Sequence, residues 1–219
     1  MKERCIVITS YSETKIKSNI EINSGDFVLC ADGGLEFARE EKIVPDIIIG
    51  DFDSCSLSTV VESTENDPAY SNTEINSEIP EKDDTDTLMC VKYGLEKGYT
   101  KFVIIGGLGG RFDHTIANIQ TLSYILDNGG SGWILDGSNK VTMINDNSEL
   151  VLYPEDSSYF SLYSYSEKCT GVSVINAKYP LEGAVLTQSF PIGTSNEFKN
   201  TDEPTTIKVK NGKLLIIKS

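Results

Sequence analysis

Two aspartates, Asp51 and Asp53, follow directly on the apolar run 47–49 and Gly50. Alternate side chains of an extended chain point the same way, so both carboxylates can face one ligand. If the apolar run is a buried strand, the pair lies at the carboxyl edge of a sheet, where open α/β proteins bind their ligands. Paired carboxylates suit a hard cation such as Mg²⁺. Aspartate and serine are also common in solvated turns and at helix N-caps, so this pair alone leaves both interpretations open.

Other segments predict that further acidic groups and glycines converge on the same edge. Asp32-Gly33-Gly34 follows another apolar run, the acidic segment 83–86 precedes a helical pattern, and residues 106–110 are rich in glycine. So many carboxylates repel one another unless a cation neutralises them. The pattern therefore indicates a divalent metal and, with the metal, a phosphate ligand. Acidic residues at a helix start also suit the helix dipole, which is the simpler explanation of residues 83–86.

The glycine-rich segment 106–110 is suited to a phosphate. Glycines let backbone N–H groups approach a phosphate closely, and the Arg111 guanidinium can bind a phosphate oxygen. The segment is not a P-loop, because no Gly-Lys-Ser/Thr follows, and it does not match the dinucleotide-binding pattern convincingly. A tight turn is the alternative interpretation.

His114, the only histidine of the sequence, comes shortly after Arg111 and Asp113. We favour a role in positioning a nucleotide over a role as general base, and a structural role at the helix start is the alternative. Asn118 lies one helical turn later and is expected to face the same way. The alternative interpretation of Asn118 is an ordinary polar residue on the surface.

These segments need a scaffold that alternates strands and helices. Apolar runs predict strands at 5–9, 27–31, 46–50 and 102–105, and helical patterns cover 35–42, 85–96 and 115–127. This alternation predicts a parallel sheet with crossover helices. Residues 55–82 are polar, contain Pro68 and Pro80 and show no clear period, which favours a long functional loop.

The second half has a different pattern. After a glycine-rich break at 128–132 come short strand-like runs separated by turn residues, without a convincing helix. This pattern predicts an all-β sandwich or barrel. Asn211-Gly212 is the type of pair that forms a two-residue hairpin turn. We therefore expect an α/β domain at 1–131 and an all-β domain at 132–219.

Charge and cysteine content exclude several classes of function. The net charge of −14 argues against general binding to nucleic acid or anionic membranes, which are polyanions themselves. No apolar stretch is long enough to span a bilayer, and the N-terminus does not resemble a signal segment. The five cysteines are scattered without a Cys-x-x-Cys pair, so neither a disulfide framework nor a zinc site is predicted. A cytoplasmic location is the expectation.

Taken in order, these motifs resemble those of the thiamine pyrophosphokinase (thiamine diphosphokinase) family. Each is weak alone, but five in the same order are specific. The resemblance covers nearly the whole chain and is weakest at residues 55–80. The motifs are Asp32-Gly33-Gly34, Gly50-Asp51-Phe52-Asp53-Ser54, Glu81-Lys82-Asp83-Asp84-Thr85-Asp86, Gly109-Gly110-Arg111-Phe112-Asp113-His114 and Asn118, with Tyr179-Pro180-Leu181 and Gly193-Thr194-Ser195-Asn196-Glu197 in the second half.

The resemblance implies a Rossmann-like parallel-sheet α/β domain followed by a β-sandwich, in a homodimer with active sites at the subunit interface. It implies transfer of a diphosphate group from ATP to the hydroxyl of thiamine, with AMP released and Mg²⁺ as cofactor. By motif, Asp51, Asp53 and Asp83 are the metal-binding and catalytic carboxylates, and Ser195 and Asn196 contact thiamine. ATP is bound by Asp32, Lys82, Thr85, Asp86, Arg111, Asp113, His114 and Asn118.

Three other functions stay open on the sequence. They are a diphosphokinase of the same fold acting on a hydroxymethylpterin, a metal-dependent phosphohydrolase, and a non-catalytic acidic domain that senses a cation or nucleotide. The β domain with its Ser195-Asn196 turn favours thiamine over a pterin. The negative charge of the chain also suits a cationic substrate such as thiamine.

Overall fold

The structure is a computed structural model, and it describes residues 4–16, 20–50, 64, 67–77, 84–154, 159–200 and 203–219. The chain forms two compact units, Met1–Gly137 and Ser138–Ser219. The first unit is α/β and the second contains strands without helices in its described residues. The predicted fold class is therefore confirmed.

The first unit is a parallel sheet with helices between its strands. Its described strands are β1 (Cys5–Ile8), β2 (Phe27–Ala31), β3 (Ile47–Ile49), β4 (Glu74–Asn76), β5 (Lys101–Ile105) and β6 (Ser131–Asp136). Its described helices are α1 (Gly34–Glu40), α2 (Asp86–Glu96) and α3 (Phe112–Asp127). Each helix lies between two parallel strands, so it runs back across the sheet and begins at the carboxyl edge.

The direction in which successive strands are added to the sheet reverses beside β1. The strands pair in the order β4-β3-β2-β1-β5-β6, every pair parallel. The chain therefore builds outward from β1 in one direction and resumes at β5 on its other side. In open α/β sheets the ligand crevice lies at the carboxyl edge where the order reverses. The loops after β1 and after β5 flank that position.

Burial on both faces explains why the strands were predictable. Ile6, Leu29 and Ile48 are fully buried, and the strand residues on either side of each are buried as well. Parallel strands covered by helices on both faces consist of nearly continuous apolar residues, which is the pattern the sequence shows.

Residues 67–77 are more regular than the sequence indicates. Asp67 caps a short 3₁₀ helix, Pro68–Tyr70, by accepting a hydrogen bond from the Ala69 N–H at 3.0 Å. Tyr70 is buried in the core, with the Arg39 guanidinium 5.2 Å from its ring centre. The chain then forms β4 at the sheet edge. A three-residue edge strand containing Glu74 is too short and too polar to show a period, so the expectation of an irregular loop was wrong here.

The second unit is a β-sandwich. Its described strands are β7 (Asn139–Ile144), β8 (Ser148–Leu152), β9 (Tyr159–Ser164), β10 (Lys168–Ile175), β11 (Leu181–Thr187), β12 (Asn196–Glu197), β13 (Thr205–Val209) and β14 (Leu214–Lys218). One antiparallel sheet has the order β7-β14-β9-β12 and the other β8-β13-β10-β11. Apolar side chains from both sheets, among them Phe160, Val172 and Ile216, are fully buried.

Two features of the second half differ from the sequence prediction. Residues 133–135, predicted as the first strand of the β domain, belong to β6 and pair in parallel with β5. The division between the units consequently follows Gly137, whereas the predicted boundary followed Ser131. Asn211-Gly212 joins β13 to β14, but these strands lie in different sheets, so the pair is not a hairpin turn.

Asp26, just before β2 at the amino edge of the sheet, is a buried ion-pair partner. Its carboxylate accepts hydrogen bonds from Arg4 Nε at 2.9 Å and Arg4 Nη2 at 2.6 Å. Burial alone would raise the pKa of Asp26, but the hydrogen bonds from Arg4 and the Asn23 N–H, with the Arg4 charge, outweigh burial and hold that pKa below its ordinary value.

We expect Asp26→Asn to lower the free energy of unfolding by about 2 kcal/mol at pH 7. Because the pKa of Asp26 is depressed in the folded state, its contribution is complete above the ordinary Asp pKa and is lost as pH falls through the folded-state pKa. The difference between the variant and the wild type should therefore begin to shrink below about pH 4 and vanish only below the folded-state pKa. Urea unfolding at pH 7, 4 and 3 measures this, and an equal difference at all three pH values contradicts it.

Candidate active site

Asp32 lies at the end of β2, on the carboxyl edge of the parallel sheet. It is 6% exposed and has a positive φ of 35°, a conformation that aspartate tolerates better than most residues. Its N–H donates to the Ile49 carbonyl oxygen at 2.8 Å, and a Cβ on Gly50 would lie 2.9 Å from the Asp32 Cβ. Asp32 is thus packed against the end of β3, which leads in sequence into Asp51 and Asp53.

Four predicted site residues, Asp51, Asp53, Lys82 and Asp83, lie outside the residues that the structure describes. Their roles stay predictions. Within the described ranges, no three His, Cys, Asp or Glu side chains are grouped so as to hold a metal ion.

Thr85 and Asp86 form the start of α2, at the same edge. Thr85 is extended and its hydroxyl accepts a hydrogen bond from the Leu88 N–H at 3.3 Å, which makes it the N-cap. Asp86 lies in the first turn, where a negative charge is favoured by the helix dipole. The preceding residue, Asp84, forms an ion pair with Lys92, which lies further along α2. The local interactions therefore fix where residues 84–86 enter the site.

The glycine-rich segment 106–110, here called the glycine loop, follows β5. Three of its N–H groups are already bonded within the protein. Gly106 N–H donates to the Leu135 carbonyl oxygen at 2.8 Å, Gly107 N–H to the Tyr11 carbonyl oxygen at 2.7 Å and Leu108 N–H to the Asp136 carboxylate at 3.0 Å. These three N–H groups are therefore already used by the fold, although the sequence indicated only that the loop as a whole suits a phosphate. The N–H groups of Gly109 and Gly110 make no such bond to any described residue and can still donate to a phosphate.

Asn118 anchors the glycine loop from α3. It is 4% exposed, and its side-chain Nδ2 donates to the Gly107 carbonyl oxygen at 3.0 Å. Gly107 has a φ of 84°, and a Cβ there would lie 2.3 Å from Asn118 Nδ2. The ordinary surface position considered from the sequence is excluded by this burial. A direct contact of Asn118 with ATP stays a prediction.

Asp136, at the end of β6, lies in the candidate site and was not singled out from the sequence. It is 1% exposed, and its carboxylate joins two loops by accepting from Glu13 N–H at 2.7 Å and from Leu108 N–H at 3.0 Å. A sequence signal was present, because Asp136 follows the apolar run 133–135 just as Asp32 follows β2. Assigning that run to the β domain concealed the signal.

The loop after β1, residues 9–13, is the second feature missed, and we call it the β1 loop. It lies beside the glycine loop where the strand order reverses. The Thr9 hydroxyl is 2.9 Å from the Tyr11 carbonyl oxygen and 3.0 Å from the Ile105 carbonyl oxygen. The Tyr11 ring contacts the glycine loop, since a Cβ on Gly109 would lie 2.6 Å from its Cε1. Only a polar stretch after an apolar run indicated this loop in the sequence.

Arg111 and Asp113 form an exposed ion pair at the start of α3. Arg111 Nε lies 3.2 Å from Asp113 Oδ1 and Nη2 lies 2.6 Å from Oδ2. The hydrogen bonds from Arg111 hold the pKa of Asp113 below its ordinary value, so the pair stays ionised at neutral pH. An exposed pair contributes little to stability. Its effect is to orient the guanidinium beside the glycine loop, while the His114 N–H donates to Asp113 Oδ1 at 3.0 Å.

In the second unit, the Ser195-Asn196 turn is fixed mainly by Asn196. Asn196 Oδ1 accepts from the Tyr179 N–H at 3.1 Å and from the Glu197 N–H at 2.8 Å, and Nδ2 donates to the Tyr179 carbonyl oxygen at 2.7 Å. Asn196 is 8% exposed, so its amide serves mainly to hold two segments together. Ser195 has a φ of 58° and its N–H donates to the Ser161 hydroxyl at 3.0 Å, while its own hydroxyl makes no bond to a described residue.

Comparison with known proteins adds two family matches. The model described as thiamin pyrophosphokinase, catalytic domain, matches residues 19–131, and the model described as thiamin pyrophosphokinase, vitamin B1 binding domain, matches residues 148–214. The first falls within the α/β unit and the second within the β-sandwich.

Curated relatives and solved structures agree with these matches. The chain is 29% identical to thiamin pyrophosphokinase 1 of Caenorhabditis elegans over 80% of this chain and 72% of that protein, and 27% identical to thiamine pyrophosphokinase of Bacillus subtilis over 86% and 85%. The crystal structure of the Bacillus subtilis protein covers 99% of both chains with a TM-score of 0.84 and 24% identity. That of the Geobacillus thermodenitrificans protein covers 99% and 97% with a TM-score of 0.80 and 22% identity, and at these identities both structures show the fold.

Proposed function

We propose that this chain, which belongs to the thiamin pyrophosphokinase family, transfers a diphosphate group from ATP to the hydroxyl group of thiamine and releases AMP. The observation that carries this function is the order of the two family matches. A catalytic-domain match on the parallel-sheet unit is followed by a vitamin B1 binding match on the sandwich. The activity is that of a transferase in thiamine diphosphate biosynthesis.

The nucleotide binds at the carboxyl edge of the parallel sheet. The Arg111 guanidinium, oriented by Asp113, contacts phosphate oxygens together with the Gly109 and Gly110 N–H groups. All described helices of the first unit begin at this edge, and helix N-termini favour anions. The motif match adds Asp32, Lys82, Thr85, Asp86, His114 and Asn118 as further ATP-binding residues.

A divalent cation, Mg²⁺, fits the donors that the sequence supplies. Asp51 and Asp53 follow β3 and Asp83 precedes α2, and carboxylate oxygens are the ligands that Mg²⁺ prefers. The packing of Gly50 against buried Asp32 supports a carboxylate-rich centre at the end of β3. When bound, Mg²⁺ neutralises charge on the polyphosphate.

The transfer itself requires positioning and one proton acceptor. The thiamine hydroxyl oxygen forms a bond to the β-phosphorus of ATP while the bond from that phosphorus to the oxygen bridging the α-phosphorus breaks, so AMP leaves. The hydroxyl proton passes to a nearby carboxylate, for which we propose Asp83. Arg111 and the glycine loop hold the polyphosphate during this displacement.

We further propose that thiamine binds at the Ser195-Asn196 turn of a partner subunit in a homodimer. The Ser195 hydroxyl bonds to no described residue, which supports a ligand contact there, and Asn196 keeps the turn in place. Exposed apolar side chains of the second unit, such as Tyr179, Val185 and Phe190, support a protein interface. Light scattering of the active enzyme tests the dimer.

A cytoplasmic location is supported by the free thiols of Cys5, Cys30, Cys90 and Cys169, which suit a reducing compartment. Burial raises the pKa of each of these thiols. No helix in the described part of the chain is both long and apolar enough to cross a membrane.

The proposed function predicts thiamine-dependent release of AMP from ATP in the presence of Mg²⁺. Incubation with and without thiamine, with separation of AMP, ADP and phosphate, measures it. Thiamine-independent phosphate release indicates the phosphohydrolase instead, and AMP release with a hydroxymethylpterin alone indicates the pterin enzyme. Nucleotide binding without any turnover indicates the sensor. Any of these three results overturns the proposal.

A further inference from the structure

We propose that Tyr11 is a positioning residue for the nucleotide, because its backbone holds the beginning of the glycine loop and its ring holds the end. The inference rests on the proposed function in one respect, namely that the phosphates of ATP bind at this loop. Nothing in the sequence motifs points to Tyr11, and it acts through the loop rather than on the reacting atoms.

The Tyr11 carbonyl oxygen fixes the first half of the loop. It accepts hydrogen bonds from the Gly107 N–H at 2.7 Å and the Thr9 hydroxyl at 2.9 Å. A Cβ on Gly106 would lie 2.0 Å from this oxygen, so the β1 loop and the glycine loop approach each other as closely as glycine permits. The hydrogen bond from the Gly107 N–H therefore holds the start of the loop against Tyr11.

The Tyr11 ring fixes the second half. A Cβ on Gly109 would lie 2.6 Å from Cε1 and 2.8 Å from the phenol oxygen, and a Cβ on Gly110 would lie 3.1 Å from Cδ2 and 3.2 Å from Cε2. The ring thus lies against both glycines. Glycine pairs sample many backbone conformations unless neighbouring atoms restrict them, and here the tyrosine ring supplies the restriction.

This contact matters because Gly109 and Gly110 carry the N–H groups of the loop that bond to no described residue and can bind a phosphate. The N–H groups of Gly106, Gly107 and Leu108 are bonded within the protein. Donors held in advance in the orientation that the ligand needs bind it more tightly than donors that must first be ordered. Removal of the ring should therefore weaken nucleotide binding without affecting the affinity for thiamine.

The test combines four variants with a nucleotide-binding measurement. Tyr11→Phe keeps the ring, Tyr11→Ala removes it, Gly109→Ala places a methyl group against it, and the double variant has the methyl group without the ring. Gly109 has an ordinary φ, so alanine there is opposed mainly by the ring. Calorimetric titration with a non-hydrolysable ATP analogue and Mg²⁺ gives Kd, and steady-state assays give KM for ATP and for thiamine separately.

We expect Tyr11→Phe to bind the analogue within about twofold of the wild type, and Tyr11→Ala and Gly109→Ala each to bind it about tenfold more weakly. The double variant should be no weaker than Tyr11→Ala alone, because the methyl group no longer meets a ring. KM for thiamine should not change. Tyr124→Ala, which removes a half-buried ring near the other end of α3, is the matched control and should leave Kd unchanged even if it lowers Tm.

Several results overturn the proposal. Wild-type affinity in Tyr11→Ala, or losses that multiply in the double variant, show that the ring does not act through the loop. A tenfold loss in Tyr11→Phe shows that the phenol oxygen itself contacts the ligand. A wild type that binds no nucleotide overturns the inference as well. Binding of the analogue without thiamine-dependent AMP release contradicts the proposed function alone, because the Kd comparison does not depend on turnover.

Discussion

Alanine at position 106 is expected to abolish measurable nucleotide binding and to lower the free energy of unfolding of the first unit by at least about 3 kcal/mol. Two effects add. Gly106 has a φ of 81°, which an L-residue adopts only at a cost, and the new Cβ would lie 2.0 Å from the Tyr11 carbonyl oxygen. The loop must move away from Tyr11, and the Gly107–Tyr11 hydrogen bond is lost with it.

Gly98→Ala is the matched control for this variant. Gly98 has nearly the same φ, 84°, but a Cβ there meets no atom within 4 Å. Gly98→Ala should therefore lower the free energy of unfolding only by the cost of a positive φ at alanine, about 1–2 kcal/mol. It should leave the Kd for nucleotide unchanged. Denaturant unfolding and calorimetry of both variants make the comparison. Equal behaviour of the two variants rules out the close approach as the cause.

The second large effect is expected for Asp136→Ala, which should lower kcat/KM for ATP about a hundredfold. The variant leaves the Glu13 and Leu108 N–H groups without their shared acceptor, so the β1 loop and the glycine loop lose their connection. Hydrogen bonds to a buried carboxylate contribute strongly, and we expect a loss of about 3 kcal/mol in the free energy of unfolding. Steady-state kinetics and urea unfolding provide the two measurements.

Asp26→Asn is the control that separates the effect of lower stability from the effect of altered site geometry in Asp136→Ala. Asp26 is also buried and bonded, but it precedes β2 at the opposite edge of the sheet. Both variants should be less stable than the wild type, whereas only Asp136→Ala should raise KM for ATP, and KM for thiamine should stay constant in both. A parallel rise in KM for ATP in Asp26→Asn would show that general destabilisation, not the loop connection, accounts for the effect.

The parallel sheet could be predicted because buried strands have a simple signature. The strands from β1 to β3 are short runs of apolar residues bounded by polar ones, and the same applies to β5. The residues that follow β2 and β5 were predicted as site residues for this reason. β4 and the 3₁₀ helix at Pro68–Tyr70 were not recognised, since their few residues are held by long-range partners such as Ile48 and Arg39.

The details of the glycine loop could not be predicted, since they depend on contacts between distant segments. Whether an N–H group is free for a ligand depends on an acceptor such as Leu135, Tyr11 or Asp136, and each of these lies on another strand or loop. Composition indicates that the loop can approach a phosphate, but it does not show which donors the fold has already used. Asn118 illustrates the same limit, because its buried anchor contact requires the left-handed turn at Gly107.

Strand β14 imposes an order on synthesis and assembly. It pairs with β7 on one side and with β9 on the other, so it is an interior strand of its sheet although it comes last among the described strands. The parallel sheet has all of its described strands once residue 136 has left the ribosome, whereas the sandwich cannot close before residue 218 has emerged. Until then β7 and β9 each expose an unpaired edge, which is a template for aggregation. During translation, the sandwich therefore keeps open strand edges for longer than the parallel sheet does.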